Sequence, residues 1–399
     1  MKRLSFMLLA GEASGDTLAA ELVGGLREEL ARFQSKSTPD TQSLFASLEP
    51  KFFGAGGPRM AAAGVDLAVD MTAHTVFGMI DVLKNYLKFR RLMSRLVRLA
   101  IKRQPDVIVC VDFSGFNRRF ARAVKDRVRS RAGTFDNWNP RVVQFVSPQV
   151  WASRSGRAQA MARDFDLVLL IFPFEKAWYA EHVPQLKVEF VGHPMLDRYG
   201  KAESGRRKAE TPFVVLLPGS RVKELKRHLP VMMSAAKKIL ASQPVSFQMV
   251  LPSAALAETA RRFTASLPQI QMQIGGLAEA LSRADLAIAS SGTVTMECAF
   301  FGVPTVVLYK ISWPEWEIGK RIVRVKHIAM PSLLANEPVF PEFVQHDATP
   351  DNLARAALEF LRDEALRQTT QAKLRRVIAS LGPPGASRRA AEAVVRLLA

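Results

Sequence analysis

The segment Ser290-Ser-Gly-Thr-Val-Thr-Met-Glu297 follows the apolar run Leu286–Ala289 and combines hydroxyls, a glycine and one acid. It predicts a buried strand, a tight turn at Gly292 and a helix. A helix start presents unpaired backbone N–H groups and the positive end of the helix dipole, so it attracts anions. Glu297 lies four residues after Thr293, one turn along the same helix face. The pattern indicates either a nucleotide site, with phosphate at the helix start and ribose at the acid, or an ordinary strand-to-helix turn.

A second junction of this kind is Leu216-Leu-Pro-Gly-Ser-Arg221. Gly219 permits a tight turn, Ser220 can cap a helix, and the forked guanidinium of Arg221 could reach a phosphate. Glu224 misses the capping-box spacing from Ser220 by one residue. A plain helix start is the alternative, but two anion-friendly junctions in one half of the chain favour a diphosphate site.

Polar residues also follow two apolar runs in the first half of the chain. Gly11-Glu-Ala-Ser-Gly-Asp16 comes after Leu4–Ala10, and it has neither the glycine spacing of a dinucleotide fingerprint nor the lysine of a P-loop. Asp112 ends the run Val107–Val111. A carboxylate at a strand's carboxyl end could act as a general base if it lies close to a hydroxyl, or it could cap the next helix. The first motif could bind a sugar or be a structural turn.

Two further motifs allow less chemistry. His193, in Gly192-His-Pro194, ends the last apolar run of the first half, where a histidine can be structural or can face a ligand. The pair Asp164 and Asp166 precedes a strand, so we interpret it as a cap and not as a metal site. No His or Cys cluster has metal-ligand spacing, so we expect neither a metal nor a cofactor.

Short apolar runs alternate with helical patterns along both halves, which predicts an α/β fold with two Rossmann-like, doubly wound parallel sheets. The polar stretch Tyr199–Thr211 predicts a linker. We therefore expect domains at residues 1–198 and 199–399, facing a cleft, because such sheets bind ligands beyond the carboxyl ends of their strands. The break at Gly382-Pro-Pro-Gly385 would allow the last helix to cross back to the first domain.

The chain is strongly basic, with a formal net charge of +19 over 399 residues and a pI near 10.3. Such a charge indicates an acidic partner, either nucleic acid, anionic lipid or a phosphorylated substrate, or else a solvated surface. Cys110 and Cys298 both lie in apolar surroundings, which favours a reduced, cytoplasmic setting. No signal peptide is evident, and no apolar stretch reaches the ~18 residues that span a bilayer.

Residues Val82–Ala100 predict a basic amphipathic helix. Such a helix can lie on an anionic membrane with its apolar face down, or it can pack on a core with its charges in water. For the first case we expect a membrane-facing set: Val82, Tyr86, Phe89, Arg90, Arg91 and Arg95.

Eight motifs together resemble those of the lipid-A-disaccharide synthases, an inverting glycosyltransferase family (family 19) of GT-B architecture. In chain order they are Gly11-Glu-Ala-Ser-Gly-Asp16, Phe53-Gly-Ala-Gly-Gly-Pro58, Phe77-Gly-Met-Ile-Asp-Val-Leu83, Val146-Ser-Pro-Gln-Val-Trp151, Ile171-Phe-Pro-Phe-Glu175, Val191-Gly-His-Pro194, Pro218-Gly-Ser-Arg221 and Ser291-Gly-Thr-Val-Thr-Met-Glu297. The resemblance implies transfer of 2,3-diacylglucosamine from UDP-2,3-diacylglucosamine to 2,3-diacylglucosamine 1-phosphate (lipid X), which yields a β-1,6 disaccharide 1-phosphate and UDP. It also implies a peripheral enzyme without an obligate metal on the cytoplasmic face of a Gram-negative inner membrane, and it allows a homodimer.

The resemblance also implies roles for residues. Gly219, Ser220 and Arg221, with Ser291, Gly292 and Thr293, would hold the UDP diphosphate, and Glu297 the ribose. Asp112 is the candidate base for the acceptor 6-hydroxyl, with Asp16 and Glu12 as rivals, while Ser14, Gly15 and His193 would line the acceptor side. Gly115 stands where the family usually has a second acid, which leaves Asp112 as the one acid of that turn.

Two other functions are considered. One is a different UDP-sugar enzyme of the same architecture, a UDP-N-acetylglucosamine epimerase or a peptidoglycan-type transferase. The other is a basic nucleic-acid-binding protein. No RNA- or DNA-binding signature accompanies the charge, so we expect no nucleic-acid partner.

Overall fold

The computed structural model describes residues 3–36, 49–71, 86–133, 135, 137–153, 156–200, 211–322 and 325–398. The chain divides into two compact units. The first unit comprises Met1–Arg198 and Pro383–Ala399, and the second comprises Tyr199–Gly382.

The first unit is built on a parallel sheet of seven strands in the order β3-β2-β1-β4-β5-β6-β7. Its strands are β1 (Ser5–Ala10), β2 (Lys51–Gly56), β3 (Asp66–Asp70), β4 (Val107–Val111), β5 (Arg141–Phe145), β6 (Leu167–Leu170) and β7 (Val188–Phe190). Its helices are α1 (Ala13–Lys36), α2 (Pro58–Ala62), α3 (Tyr86–Arg103), α4 (Ser114–Ser130), α5 (Val150–Ser153), α6 (Gly156–Asp164), α7 (Pro173–His182) and α8 (Met195–Tyr199), the last of which reaches the first residue of the second unit.

The second unit repeats this plan with six parallel strands in the order β10-β9-β8-β11-β12-β13. Its strands are β8 (Phe213–Leu217), β9 (Ser246–Leu251), β10 (Gln271–Ile274), β11 (Leu286–Ser290), β12 (Thr305–Tyr309) and β13 (Glu342–Val344). Its helices are α9 (Val222–Ser242), α10 (Ala254–Thr264), α11 (Leu277–Arg283), α12 (Val294–Phe300), α13 (Trp313–Ile322), α14 (Met330–Ala335), α15 (Pro350–Arg362) and α16 (Glu364–Ser380).

The central strands are buried along their whole length because helices cover both sheet faces. Every residue of β1, β4 and β11 is buried, which is why these strands are continuous apolar runs without polar alternation. In each sheet the strand order reverses between the first strand and its partner from the second half, β1 with β4 and β8 with β11. Such a reversal leaves a crevice at the carboxyl ends of the two strands, where ligands of this fold bind. The predicted pair of doubly wound parallel sheets is confirmed.

Acids organise the opposite edges of the sheets. Asp106 accepts a hydrogen bond from the Ser5 N–H at 2.8 Å, and Asp285 accepts one from the Phe213 N–H at 2.8 Å. Asp166 accepts from the Val142 N–H at 2.6 Å and from Lys125 Nζ at 2.7 Å. Asp106 and Asp285 thus satisfy the first N–H group of a neighbouring strand, and Asp166 satisfies the second N–H group of β5, so the interpretation of Asp166 as a cap is confirmed.

The final helix, α17 (Ala386–Val395), packs along α1 and belongs to the first unit. Asp197 caps its start by accepting from the N–H groups of Ala386 at 3.2 Å and Ser387 at 3.0 Å. Arg389 Nε donates to the Val191 carbonyl at 2.7 Å. These contacts hold the end of the chain on the first sheet.

The basic helix α3 packs on the core of the first unit. Phe89 is half-buried, and its ring centroid lies 6.3 Å from that of Phe116, so part of this side chain packs on the core. Its place in the membrane-facing set stays a prediction. Val82 and the side chain of Tyr86, from the same set, lie outside the described residues.

Candidate active site

In the first unit, the predicted catalytic residues follow the two strands that flank the switch point. Ala10 pairs with Val111 across β1 and β4, so the turn after Gly11 and the turn at Asp112 leave the sheet side by side. An ideal Cβ on Gly15 would lie 3.7 Å from the Asp112 Cβ, which places the first turn of α1 against Asp112. Glu12 is half-buried beside this turn, and Ser14 is exposed.

Asp112 occupies an unusual backbone conformation. Its φ is +48° and that of Phe113 is +41°, both in the left-handed region. The Asp112 N–H extends the sheet by donating to the Phe145 carbonyl at 2.9 Å. The N-cap residue of α4 is Phe113, whose own side chain makes no capping hydrogen bond.

Asp16 has a different role from the one predicted. It is 1% exposed, and its carboxylate accepts from the N–H groups of Gly57 at 2.8 Å, Arg59 at 2.9 Å and Met60 at 3.0 Å. These charge-assisted bonds satisfy the start of α2 and tie it to α1. We therefore correct its assignment as a rival base, because the oxygens that would take a proton are occupied within the fold.

His193 is buried, and its Nδ1 accepts from the Met195 N–H at 3.2 Å, so the ring proton is on Nε2. Burial lowers the pKa of His193 to about 4, and the nearby Arg198 charge lowers it further in the same direction. The imidazole is therefore neutral near pH 7 and caps the start of α8. His193 therefore has a structural role at the start of α8. Its place on the acceptor side of the site stays a prediction.

Because His193 is buried in its neutral form, we expect the stability of the folded protein to fall at acid pH. The unfolded chain takes up the proton near pH 6.5 and the folded chain near a pKa of about 4, so stability is complete above pH 6.5 and falls as the pH drops toward 4. The expected loss is about 3 kcal/mol. In His193→Asn, whose side-chain oxygen keeps the bond to Met195, urea unfolding should show a smaller loss between pH 7 and pH 4.5. The exposed His182 of the same unit provides the matched control His182→Asn, and equal acid losses in all three proteins would contradict the assignment.

In the second unit, the loop after β8 brings Gly219, Ser220 and Arg221 to the switch point. Gly219 has a φ of +129°, and a Cβ there would lie 2.4 Å from the Glu224 carboxylate. The N-cap residue of α9 is Arg221, so the prediction that Ser220 caps the helix is wrong. Instead the Glu224 carboxylate reaches back to the Ser220 N–H at 2.8 Å and lies 3.8 Å from the half-exposed Arg221 guanidinium.

The loop after β11 brings Ser291, Gly292, Thr293 and Glu297 to the same switch point. Thr293 is the N-cap residue of α12 and is exposed, and no atom lies within 4 Å of an ideal Cβ on Gly292 among the described residues. The Ser291 hydroxyl donates to the Ile328 carbonyl at 2.8 Å, which fixes the turn. The structure thus joins the two anion-friendly junctions at adjacent strand ends.

A model of the lipid-A-disaccharide synthetase family matches residues 6–396 of the chain. The chain belongs to the lipid-A-disaccharide synthase family. The lipid-A-disaccharide synthase of Geobacter metallireducens is 35% identical, over 98% of this chain and 97% of that protein. The enzyme of that name from Coxiella burnetii is 33% identical, over all of both chains. The resemblance drawn from the motifs is therefore confirmed.

Solved structures show the same fold at low identity. The Neisseria meningitidis UDP-GlcNAc 2-epimerase bound to UDP-GlcNAc superposes with a TM-score of 0.60 at 11% identity, over 99% of this chain and 100% of that chain. Lipid-A-disaccharide synthases are UDP-sugar glycosyltransferases of this GT-B fold. Epimerase or peptidoglycan-type transferase activity is not favoured, because those enzymes share the fold alone.

In this member of the lipid-A-disaccharide synthase family, two residues near the predicted site, His228 and Tyr199, were not predicted from the sequence. His228 is buried on α9. Its Nδ1 donates to the Pro218 carbonyl at 2.7 Å and its Nε2 accepts from the Lys310 N–H at 3.1 Å. Burial lowers the pKa of His228, so the neutral ring ties the loop after β8 to the end of β12. Its position seven residues after Arg221, on the same helix face, was the available signal.

The second missed residue is Tyr199, whose hydroxyl donates to Glu297 Oε1 at 2.6 Å. Its ring packs 5.5 Å from the Phe300 ring and 5.2 Å from the Phe301 ring. The acid predicted to hold the ribose therefore already accepts a hydroxyl in this structure. This contact has no signature in the sequence, since 98 residues separate the two partners.

Proposed function

We propose that the chain catalyses the reaction of its family with the second unit as the UDP-binding domain and the first unit as the acceptor domain, within residues 199–399 and 1–198 except for the last helix. The sugar of UDP-2,3-diacylglucosamine is transferred to the 6-hydroxyl of 2,3-diacylglucosamine 1-phosphate. The observation that carries the assignment of roles is the presentation of Asp112 at one switch point and of Arg221 with Glu297 at the other.

The chemistry requires one proton transfer and one displacement. Asp112 takes the proton of the acceptor 6-hydroxyl, and that oxygen attacks the anomeric carbon of the donor from the face opposite UDP. The bond from this carbon to the diphosphate oxygen breaks, its electron pair leaves with UDP, and the configuration inverts. Arg221, Ser291 and Thr293, with the N–H groups at the starts of α9 and α12, would stabilise the charge that develops on the leaving diphosphate.

The test is an assay with purified protein in detergent micelles. UDP release from UDP-2,3-diacylglucosamine should require the acylated acceptor and should match disaccharide formation mole for mole. Turnover of UDP-N-acetylglucosamine in the absence of any acylated substrate would support the epimerase alternative, and a complete lack of disaccharide would reject the proposal.

We also propose that the protein works at the cytoplasmic face of an anionic inner membrane, because both substrates carry acyl chains. The support is electrostatic. Residues Lys84–Arg131 carry fifteen Lys or Arg and three acids, and Lys88, Arg90 and Arg91 on α3 are exposed. No helix within the described ranges is long and apolar enough to cross a bilayer. A homodimer stays a prediction.

Removing positive charge from α3 should weaken binding to anionic vesicles. Replacing Arg90 and Arg91 with Ser should reduce co-sedimentation with phosphatidylglycerol vesicles about tenfold or more, since each basic residue near such a surface contributes about 1 kcal/mol. Arg95 is left unchanged because its guanidinium donates to the Ala68 carbonyl at 3.0 Å. The matched control replaces Arg261 and Arg262, exposed on α10. Equal sedimentation of both double variants would reject the role of α3.

A further inference from the structure

Two neighbouring strands of the first sheet end in strained turns. Asp112 and Phe113, after β4, have φ values of +48° and +41°, and Val146, after β5, has a φ of +70°. Left-handed backbone at such residues costs roughly 1–3 kcal/mol each, and a β-branched residue such as Val is rarely found there. Strain of this kind persists only where the surroundings hold it in place.

Two buried amide side chains hold these turns. Asn117, on α4, is 1% exposed, and its Nδ2 donates to the carbonyls of Asp112 at 2.8 Å and Val111 at 3.2 Å. Gln144, on β5, is 0% exposed, and its Nε2 donates to the carbonyls of Asp112 and Val146, both at 3.1 Å. The Asp112 carbonyl is thus clamped from two elements, and Gln144 joins both strained turns.

These two amides lower the stability of the folded protein. Asn117 Oδ1 and Gln144 Oε1 are buried and have no hydrogen-bond partner among the described residues. A buried, unsatisfied polar atom costs about 1–3 kcal/mol. Apolar side chains of the same shape would avoid that cost but could not hold the Asp112 carbonyl, so the amides serve the conformation of the turn.

A third element completes the clamp. An ideal Cβ on Gly11 would lie 2.2 Å from the Phe113 ring, so this ring covers the backbone of Gly11 directly. Phe113 also stacks on Phe116 at a centroid distance of 5.6 Å. Rotation of the Asp112–Phe113 turn is therefore blocked by packing on one side and by the two amides on the other.

We propose that Asn117 and Gln144 are positioning residues for Asp112, which hold its carboxylate at the place where it takes the proton from the acceptor hydroxyl. This inference rests on the proposed role of Asp112 as the base. Neither amide touches the substrate, and both act through the Asp112 backbone.

The test uses the full chain and the shape-conserving variants Asn117→Leu and Gln144→Met. Because a misplacement of about 1 Å can cost about 100-fold in rate, kcat should fall 10- to 100-fold. The KM for the UDP-sugar, whose site is assigned to the second unit, should not change. The control Gln159→Met removes an exposed amide whose Nε2 donates to the His182 carbonyl at 2.7 Å, and it should keep wild-type kcat.

Gln144→Glu separates positioning from a merely structural role. The introduced carboxyl donates a hydrogen bond when protonated and repels the carbonyls when ionised. Its kcat relative to wild type should therefore rise as the pH falls from 8 to 5.5. A pH-independent ratio would overturn the proposal, and this variant decides if the Leu and Met variants fail to fold.

The two levels of inference fail in different ways. If Asp112→Asn is inactive while Asn117→Leu and Gln144→Met keep wild-type kcat, the positioning role is rejected and Asp112 remains the base. If Asp112→Asn keeps wild-type kcat, the proposed base itself is rejected. A parallel change in the KM for the UDP-sugar in the amide variants would indicate a general structural effect and would also overturn the proposal.

Discussion

Asp112→Asn should lower kcat by roughly 100- to 10,000-fold, the contribution typical of a positioned general base, while UDP binds with unchanged affinity. The amide that replaces the carboxylate has nearly the same shape but cannot take a proton from the acceptor hydroxyl. The backbone bonds of the turn, from the Asp112 N–H to Phe145 and from Asn117 to the Asp112 carbonyl, do not involve the side chain and should survive. Steady-state kinetics and calorimetry with UDP together measure both parts.

The control is Glu12→Gln, because Glu12 is the other acid of this switch point and is half-buried. It should lower kcat much less than Asp112→Asn does. Near-wild-type turnover by Asp112→Asn would dismiss Asp112, and a large loss confined to Glu12→Gln would make Glu12 the base. Asp16→Asn is unsuitable for this comparison, because the Asp16 carboxylate caps the start of α2 and its loss would destabilise the fold.

The sheets could be predicted from the sequence because their central strands are covered on both faces. A strand such as Val107–Val111 has no solvent-facing positions, so it is a continuous apolar run whose carboxyl end is marked by the first polar residue. In parallel sheets all carboxyl ends lie at one edge. The positions of Asp112, Gly219 and Ser291 at the carboxyl edges of the sheets, where ligands of this fold bind, could therefore be predicted from the sequence.

What could not be predicted depends on contacts between residues distant in the sequence. The role of Asp16 as a helix cap could not be predicted, because its partners are backbone N–H groups about forty residues away, from Gly57 to Met60. Backbone groups have no side-chain signature in the sequence. The spacing of Phe89 fits a membrane-facing stripe as well as a core-facing one, and its packing on Phe116 has no signature in the sequence. The left-handed turn at Asp112 could not be predicted either, because neither Asp nor Phe indicates a positive φ as a glycine would.

Glu224, in the loop and helix after β8, shows a local version of the same difficulty. Spacing indicated that Ser220 and Glu224 do not form a capping box, yet Glu224 still reaches the Ser220 N–H because the helix begins one residue later, after Arg221. Even in a structure, the assigned start of a helix can differ by one or two residues. A shift of that size decides which N–H group a side chain meets.

Glu297→Ala and Tyr199→Phe should change UDP affinity in opposite directions. Hydrogen bonds to charged groups contribute about 1.5–3 kcal/mol, so loss of the carboxylate that is assigned to the ribose should weaken UDP binding about 10- to 100-fold. The Tyr199 hydroxyl donates to the same carboxylate at 2.6 Å, where it would compete with a ribose hydroxyl. Removing it should tighten UDP binding about 2- to 10-fold, less than the full value of a hydrogen bond to a charged group, because a carboxylate can accept at both of its oxygens.

Tyr199→Phe removes only the hydroxyl, because the aromatic ring keeps its contacts with Phe300 and Phe301. Calorimetry with UDP measures both variants. Arg221→Ala removes a cation assigned to the diphosphate, so it should lower UDP affinity as Glu297→Ala does, and it should also lower kcat because this cation is assigned to the charge that develops on the leaving diphosphate. Unchanged affinity in Glu297→Ala would reject the ribose assignment. Weaker binding in Tyr199→Phe would mean that the hydroxyl contributes to the nucleotide site, because a competing group can only lower the affinity of the ligand it displaces.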